Sequence, residues 1–201
     1  MIKIISCEVF KPYIELLNMN LDITYLDIEG HNYPNRLAKQ IQKQIDECQH
    51  YEKIILLYGL CGNALLHIKA RNIPVYVIRV HDCLSVLLGS TERFYELFHK
   101  RLSCGWSCYS LEGKDISFDD FDEEEQIYLQ MILNPPKEVY ISFSMEKERQ
   151  YEIKYKEIIK GDLSFLKDII LLKSKELLEI DSNNQIRFDE RTILTKEKKN
   201  G

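Results

Sequence analysis

The stretch over residues 54–89 constrains the fold more than any other part of the sequence. It contains two short apolar runs, at residues 54–58 and 74–78, and each is typical of a strand buried on both faces. A glycine turn and a short helical segment separate the two runs. A connection of this kind joins parallel strands, so the stretch predicts a compact βαβ unit.

Thiol and imidazole side chains follow both predicted strands. Cys61 comes after the first run, and His81 and Cys83 come after the second. The carboxyl ends of parallel strands lie at one edge of a sheet, and open α/β sheets bind their ligands at that edge. We therefore expect Cys61, His81 and Cys83 to lie close together.

The first fifty residues extend the same alternation of strands and helices. Residues 2–7 predict a first strand ending at Cys7, and residues 21–26 predict a second strand followed by His31. A helix with its apolar face at Leu37, Ile41, Ile45 and Cys48 then covers the sheet. The order predicts an α/β fold with a Rossmann-like, mainly parallel sheet and helices on both faces.

The rest of the chain is less regular. We expect a single domain over residues 1–195, with a parallel core at 1–110, further helices and strands at 111–195, and a disordered tail at 196–201. The expected elements are a loop at 102–109, a helix at 123–133, strands at 138–143 and 151–159, a helix at 163–172, and a hairpin formed by 177–180 and 185–188.

Composition limits the classes of protein to consider. The 201 residues are 45% apolar, enough to bury a full core, yet no apolar run is long enough to cross a bilayer. The start of the chain does not resemble a signal peptide, so we expect a cytoplasmic protein with reduced thiols at its six cysteines. A net charge of −5 with interspersed charges argues against nucleic acid as a partner.

The leading hypothesis is a metal site made by Cys61, His81 and Cys83, with Cys7 and His31 as the next candidates. Thiolate and imidazole ligands suit zinc or iron, and a site with three protein ligands leaves a position for water or substrate. Asp82 or Asp27 is placed to orient a ligand histidine. Cys104 is a further possible ligand.

Other interpretations of the same residues stay open. Free cysteines often pack as small apolar side chains, and Cys48 on its helix face fits that role best. Alternatively, Cys61 or Cys83 is a nucleophilic or redox thiol at a helix N-terminus with His81 as base, although no Cys-x-x-Cys pair is present. Gly59, Gly62 and Asn63 form a weak candidate for an anion-binding turn, since they match no dinucleotide or P-loop motif.

Several of these motifs are similar to those of one family. The Gly-Leu-Cys-Gly-Asn segment that starts at Gly59, the His-Asp-Cys segment that starts at His81, and the Gly-Trp pair ending at Trp106 resemble an uncharacterised bacterial and archaeal family, domain of unknown function 1638. Its genes are often found beside corrinoid-dependent methyltransferases. The candidate ligand-binding residues within these motifs are Gly59, Gly62, Asn63, Asp82 and Trp106.

The resemblance implies a supporting role in corrinoid-dependent methyl transfer or one-carbon metabolism. In that role a zinc or iron ion would activate a thiol, and the partner would be a small-molecule substrate or a corrinoid protein. The alternatives are a metal-free enzyme with Cys61 or Cys83 as nucleophile, and a non-enzymatic module that binds a corrinoid protein or a small ligand.

Overall fold

The computed structural model describes residues 1–61, 63–100, 105–113, 137–189 and 193–198. The described chain is a mixed α/β protein with a five-stranded sheet, a three-stranded sheet and a two-stranded hairpin. The helix predicted at residues 123–133 lies outside the described residues.

The five-stranded main sheet has the order β2-β1-β3-β4-β8. Its strands are β1 (Ile2–Cys7), β2 (Asp22–Leu26), β3 (Lys53–Leu57), β4 (Val75–Ile78) and β8 (Leu177–Ile180). The first four are parallel, and β8 is antiparallel to β4. The predicted βαβ unit is confirmed, with a 3-10 helix at Ala64–His67 as its connecting element.

The α-helices of the described residues contain between four and fourteen residues. They are α1 (Lys11–Leu16), α2 (Pro34–Glu47), α3 (Cys83–Leu87), α4 (Thr91–His99), α5 (Arg149–Glu152) and α6 (Ser164–Ile170). The Ser90 hydroxyl accepts a hydrogen bond of 3.0 Å from the Arg93 N–H and so caps α4. Within the described residues, no helix has the length and apolar character needed to cross a membrane.

A second sheet contains three parallel strands, β5 (Gly105–Cys108), β6 (Lys137–Ser142) and β7 (Glu157–Lys160). The loop predicted over residues 102–109 is therefore wrong for its described part. β5 is short and rich in small residues, so its sequence lacks a strand pattern although it pairs fully with β6. The strand predicted at 151–159 is also wrong in extent, because α5 ends at Glu152 and β7 begins only at Glu157.

The end of the chain pairs differently from the prediction. β8 joins the main sheet beside β4, whereas β9 (Asn184–Asp189) pairs with β10 (Ile193–Lys198). The predicted hairpin between residues 177–180 and 185–188 is wrong because the free edge of β4 takes up the first of these strands. Residues 196–198 were expected in a disordered tail but belong to β10, since Lys198 pairs with Asn184. Residues 199–201 lie outside the described part.

The carboxyl ends of β1 and β5 meet. The 3-10 helix at Glu8–Phe10, which follows β1, contacts the 3-10 helix at Tyr109–Leu111, which follows β5. The Tyr13 hydroxyl also lies 3.4 Å from the Ser110 N–H. The edge of the main sheet that carries the predicted site is thus covered in part by the second sheet.

Candidate functional site: a cluster of three thiols

Three predicted site residues lie together at the carboxyl edge of the main sheet. Cys7 ends β1, Cys61 follows β3, and Cys83 begins α3 just after β4. The Cys83 thiol lies near enough to the thiols of both Cys7 and Cys61 for the two members of each pair to influence each other's ionisation. We call these three residues the thiol cluster.

A close approach of two loops brings Cys83 into the cluster. The Gly59 N–H donates to the Cys83 Sγ at 3.2 Å, and the Leu60 N–H donates to the His81 carbonyl at 3.1 Å. A Cβ atom at residue 59 would lie 2.9 Å from the Cys83 nitrogen and 3.0 Å from the His81 carbonyl oxygen. The loop after β3 can therefore approach the start of α3 only with a glycine at this position.

A tight turn presents the Cys61 thiol at the edge of the cluster. Cys61 and Asn63 both have left-handed backbone angles, with φ of 46° and 70°. The Ala64 N–H donates to the Cys61 carbonyl at 3.2 Å and closes the turn. Cys61 is only partly buried, whereas Cys7 is 6% exposed. Cys83 is also partly buried, so a molecule from solvent reaches Cys61 and Cys83 before Cys7.

The proximity of the three thiols affects their ionisation. The neighbouring Cys83 thiol, together with burial, raises the pKa of the Cys7 thiol, and the neighbouring Cys61 thiol, together with burial, raises the pKa of the Cys83 thiol. Without a nearby cation, Cys7 and Cys83 are protonated at neutral pH, which disfavours Cys83 as a metal-free nucleophile.

A family model described as a protein of unknown function (DUF1638) matches residues 25–170 of the chain. The chain belongs to the DUF1638 family. The family predicted from the sequence motifs is therefore confirmed. The matched span includes Cys61 and Cys83 of the thiol cluster, and Cys7 precedes it. No curated protein and no solved structure matches the chain.

His81 does not join the thiols of this DUF1638 protein. Its side chain is exposed, and its ring lies beside those of Tyr95 and Phe188, at centroid distances of 6.1 and 6.2 Å. The backbone carbonyl of His81, rather than its imidazole, faces the loop after β3. In the parts of the chain that the structure describes, no group of three or more His, Cys, Asp or Glu side chains is arranged so that it could hold a metal ion.

The other predicted residues of this family member have separate positions. His31 lies in the 3-10 helix at Ile28–Asn32 that follows β2, and its side chain is outside the described part. Asp82 caps α3, because its carboxylate accepts the Leu84 N–H at 2.7 Å. Trp106 is a 9% exposed residue of β5, in the second sheet. Gly62 and Cys104 lie outside the described residues.

The remaining described cysteines of the protein pack away from the cluster. Cys48 is buried at the end of α2, as predicted for a packing role. Cys108 is buried in β5, and its sulfur lies 3.3 Å from the Ser110 hydroxyl. A surface pocket lined by Met1, Leu21 and Ile170 lies at the opposite edge of the main sheet and contains no predicted site residue.

Proposed function

We propose that the protein binds a zinc or iron ion through the thiolates of Cys7, Cys61 and Cys83. The observation that supports this proposal is the placement of all three thiols near one another at the carboxyl edge of the sheet. Soft thiolate ligands select zinc and iron over magnesium and calcium. Three protein ligands would leave one position for water or a substrate.

The place of the cluster in the sheet favours a ligand site. From β1 the chain moves outward to β2, and then crosses back to β3 and β4 on the other side. Open α/β sheets bind ligands where the strand order reverses, which here is the gap between β1 and β3. Cys7 and Cys61 follow these two strands, and this agreement supports a Rossmann-like architecture for the main sheet.

A bound cation would compensate the negative charge of the ionised thiols in the cluster. Three ionised thiols near one another would repel, and burial further penalises their charge. A bound metal ion deprotonates its coordinating thiols and compensates their charge. Because the described side chains are not already arranged around a metal ion, metal binding requires the three thiols to rotate about χ1 so that their sulfurs face one ion. The ion would then hold a thiolate in an activated form.

We further propose a histidine as the fourth ligand when no water or substrate occupies that position, and methyl transfer as the reaction. His81 or His31 would complete the ligand set if its loop turned toward the cluster. Methyl transfer to a metal-activated thiol, with a small molecule or a corrinoid protein as partner, is the chemistry that the family resemblance predicts for such a site.

A second candidate function is thiol–disulfide exchange, which the proximity of Cys7 and Cys83 favours. An external disulfide would accept two electrons and become two thiols. The two cysteine thiols would lose two protons and form one disulfide. This candidate requires no metal.

Alkylation of Cys61 distinguishes these functions. We expect iodoacetamide to modify Cys61 in the reduced, metal-free protein, and one equivalent of zinc to protect it, as measured by peptide mass spectrometry. Protection of Cys7 and Cys83, but not of Cys61, that needs no metal and is removed by a reducing agent would favour the disulfide. Equal alkylation of Cys61 with and without zinc would contradict the metal proposal.

The Cys7 thiol makes the stability of the metal-free protein sensitive to alkaline pH. The neighbouring Cys83 thiol and burial raise the pKa of Cys7 above its ordinary value of 9.0, so the folded state keeps a proton that the unfolded chain loses. This contribution to stability is complete below the unfolded pKa and is lost as pH rises above it. In urea unfolding with a chelator present, we expect Cys7 to contribute a fall of about 1.4 kcal/mol per pH unit above pH ~9. The Cys7→Ser variant should lack this part of the slope, and equal slopes would contradict the assignment.

A further inference from the structure

A second group of polar side chains lies toward the carboxyl edge of the three-stranded sheet. Ser107 on β5 pairs in register with Tyr140 on β6, and Ser142 lies two residues further along β6. Paired residues and residues two apart on a strand face the same side of a sheet, so these three side chains share one face. Each of them is at most 4% exposed. Their hydroxyl groups are therefore removed from bulk water.

Two carboxylates share one of these hydroxyl groups. The Ser142 Oγ lies 2.5 Å from Glu152 Oε1 and 3.2 Å from Glu148 Oε2. A hydroxyl has a single hydrogen, so it donates to only one of these carboxylates at a time. Glu148 Oε2 also accepts the N–H groups of Phe143 and Met145, both at 2.9 Å, whereas its Oε1 is buried and has no partner among the described residues. The pair of carboxylates thus lacks hydrogen-bond donors.

A third carboxylate and a buried phenol lie on the same face. Glu112 Oε1 accepts the hydroxyl of Ser107 at 2.8 Å and also that of Tyr155. The Tyr140 ring packs against the Tyr155 ring at a centroid distance of 5.0 Å. Tyr140 therefore lies between the Glu112 contact on β5 and the carboxylate pair that follows it on β6. Its buried hydroxyl has no partner in the part of the chain that the structure describes. Burial raises the pKa of Tyr140, and the nearby Glu148 raises it further, which agrees with this position.

These carboxylates also lack a cation. Among the described residues, no Lys, Arg or His side chain forms an ion pair with Glu112, Glu148 or Glu152. Lys147 and Lys154 lie instead over tyrosine rings, 4.3 and 5.2 Å from the ring centroids. A buried carboxylate without a cationic partner is costly. No group of described acidic side chains is arranged to hold a metal ion, so an organic cation with N–H donors fits this face better.

We propose that this face of the three-stranded sheet binds the primary ammonium group of a small organic molecule, with Glu148, Glu152 and Tyr140 as its hydrogen-bond acceptors. An ammonium group supplies three N–H donors and a positive charge, which these side chains lack. Glu112 and Glu152 are only partly buried, so the ammonium group would enter from their side. Parallel sheets bind ligands at this edge. The site uses no cysteine, so the inference is independent of metal binding by the thiol cluster.

Titration with n-propylammonium tests the inference, and tetramethylammonium is the control cation because it has the same charge but no N–H donor. We expect saturable binding of n-propylammonium by saturation-transfer difference NMR, at constant ionic strength and with a chelator present, and about 10-fold weaker binding of tetramethylammonium. Glu148→Gln should weaken n-propylammonium binding about 10-fold. Glu138→Gln, which removes a surface carboxylate of β6 that pairs with Lys156, should match the wild type.

Tyr140→Phe gives a test that does not depend on the folding of the Glu148 variant. The Tyr140 hydroxyl has no partner among the described residues, so its removal should not lower the free energy of unfolding of the ligand-free protein. The same change should weaken n-propylammonium binding about 3–10-fold. Wild-type affinity in Tyr140→Phe or Glu148→Gln, equal binding of the two cations, or no saturable binding of n-propylammonium would each overturn the inference. The proposed function is decided separately, by zinc binding to the thiol cluster.

Discussion

Cys83→Ser is expected to abolish metal binding, reducing the zinc content from about one ion per chain to a trace. Cys83 is the central member of the thiol cluster, since its thiol influences the pKa of Cys7 and is itself influenced by Cys61. Serine preserves the shape of the side chain but replaces a soft sulfur by a hydroxyl, which zinc and iron bind poorly in such sites. Elemental analysis after dialysis against a zinc-buffered solution measures the effect.

Cys48→Ser is the control for this substitution. Cys48 is also a free thiol with low exposure, but it lies at the end of α2 and away from the cluster. We expect Cys48→Ser to keep the zinc content of the wild type. If Cys83→Ser also kept its zinc, the cluster would not be the metal site.

Gly59→Ala should both destabilise the protein and disrupt the cluster. The added methyl group would lie 2.9 Å from the Cys83 nitrogen and 3.0 Å from the Asp82 carbonyl carbon, and both are backbone atoms that cannot rotate away. We expect a loss of about 1–3 kcal/mol in the free energy of unfolding, as for other overpacked cores, together with weaker zinc binding. Urea unfolding and zinc competition with a chromophoric chelator measure the two effects.

Gly30→Ala provides the matched comparison at the same edge of the sheet. A Cβ atom at residue 30 would meet only the end of the Leu37 side chain, at 3.1 Å, and this side chain can adjust. We expect Gly30→Ala to retain wild-type zinc affinity. Equal affinities for Gly59→Ala and the wild type would show that the approach of the two loops does not shape the site.

The gathering of the thiols could be predicted from the sequence because it depends on strand topology. Short apolar runs joined by a crossover connection predict parallel strands. Because parallel strands end at the same edge of a sheet, they place Cys7, Cys61 and Cys83 at its carboxyl edge. The position of His81 could not be predicted in this way. Once a strand ends, the spacing of His81 and Cys83 no longer determines their side-chain directions, and the backbone of His81 faces the neighbouring loop.

The hairpin predicted between residues 177–180 and 185–188 was wrong because the pairing of β8 depends on a strand that is distant in the sequence. Asp181 and Asn184 form a turn in which side chains bond the backbone, and this local signal suggested a hairpin. Instead, β8 pairs with the free edge of β4 and completes the main sheet there.

The metal content of the wild-type protein, purified without oxygen or chelator, is the direct test of whether the thiol cluster binds a metal ion. We predict about one zinc or iron ion per chain by mass spectrometry, released when the thiols are protonated by acid. Protein that contains no metal, and that takes up neither zinc nor iron(II) after reduction of its thiols, would contradict the claim.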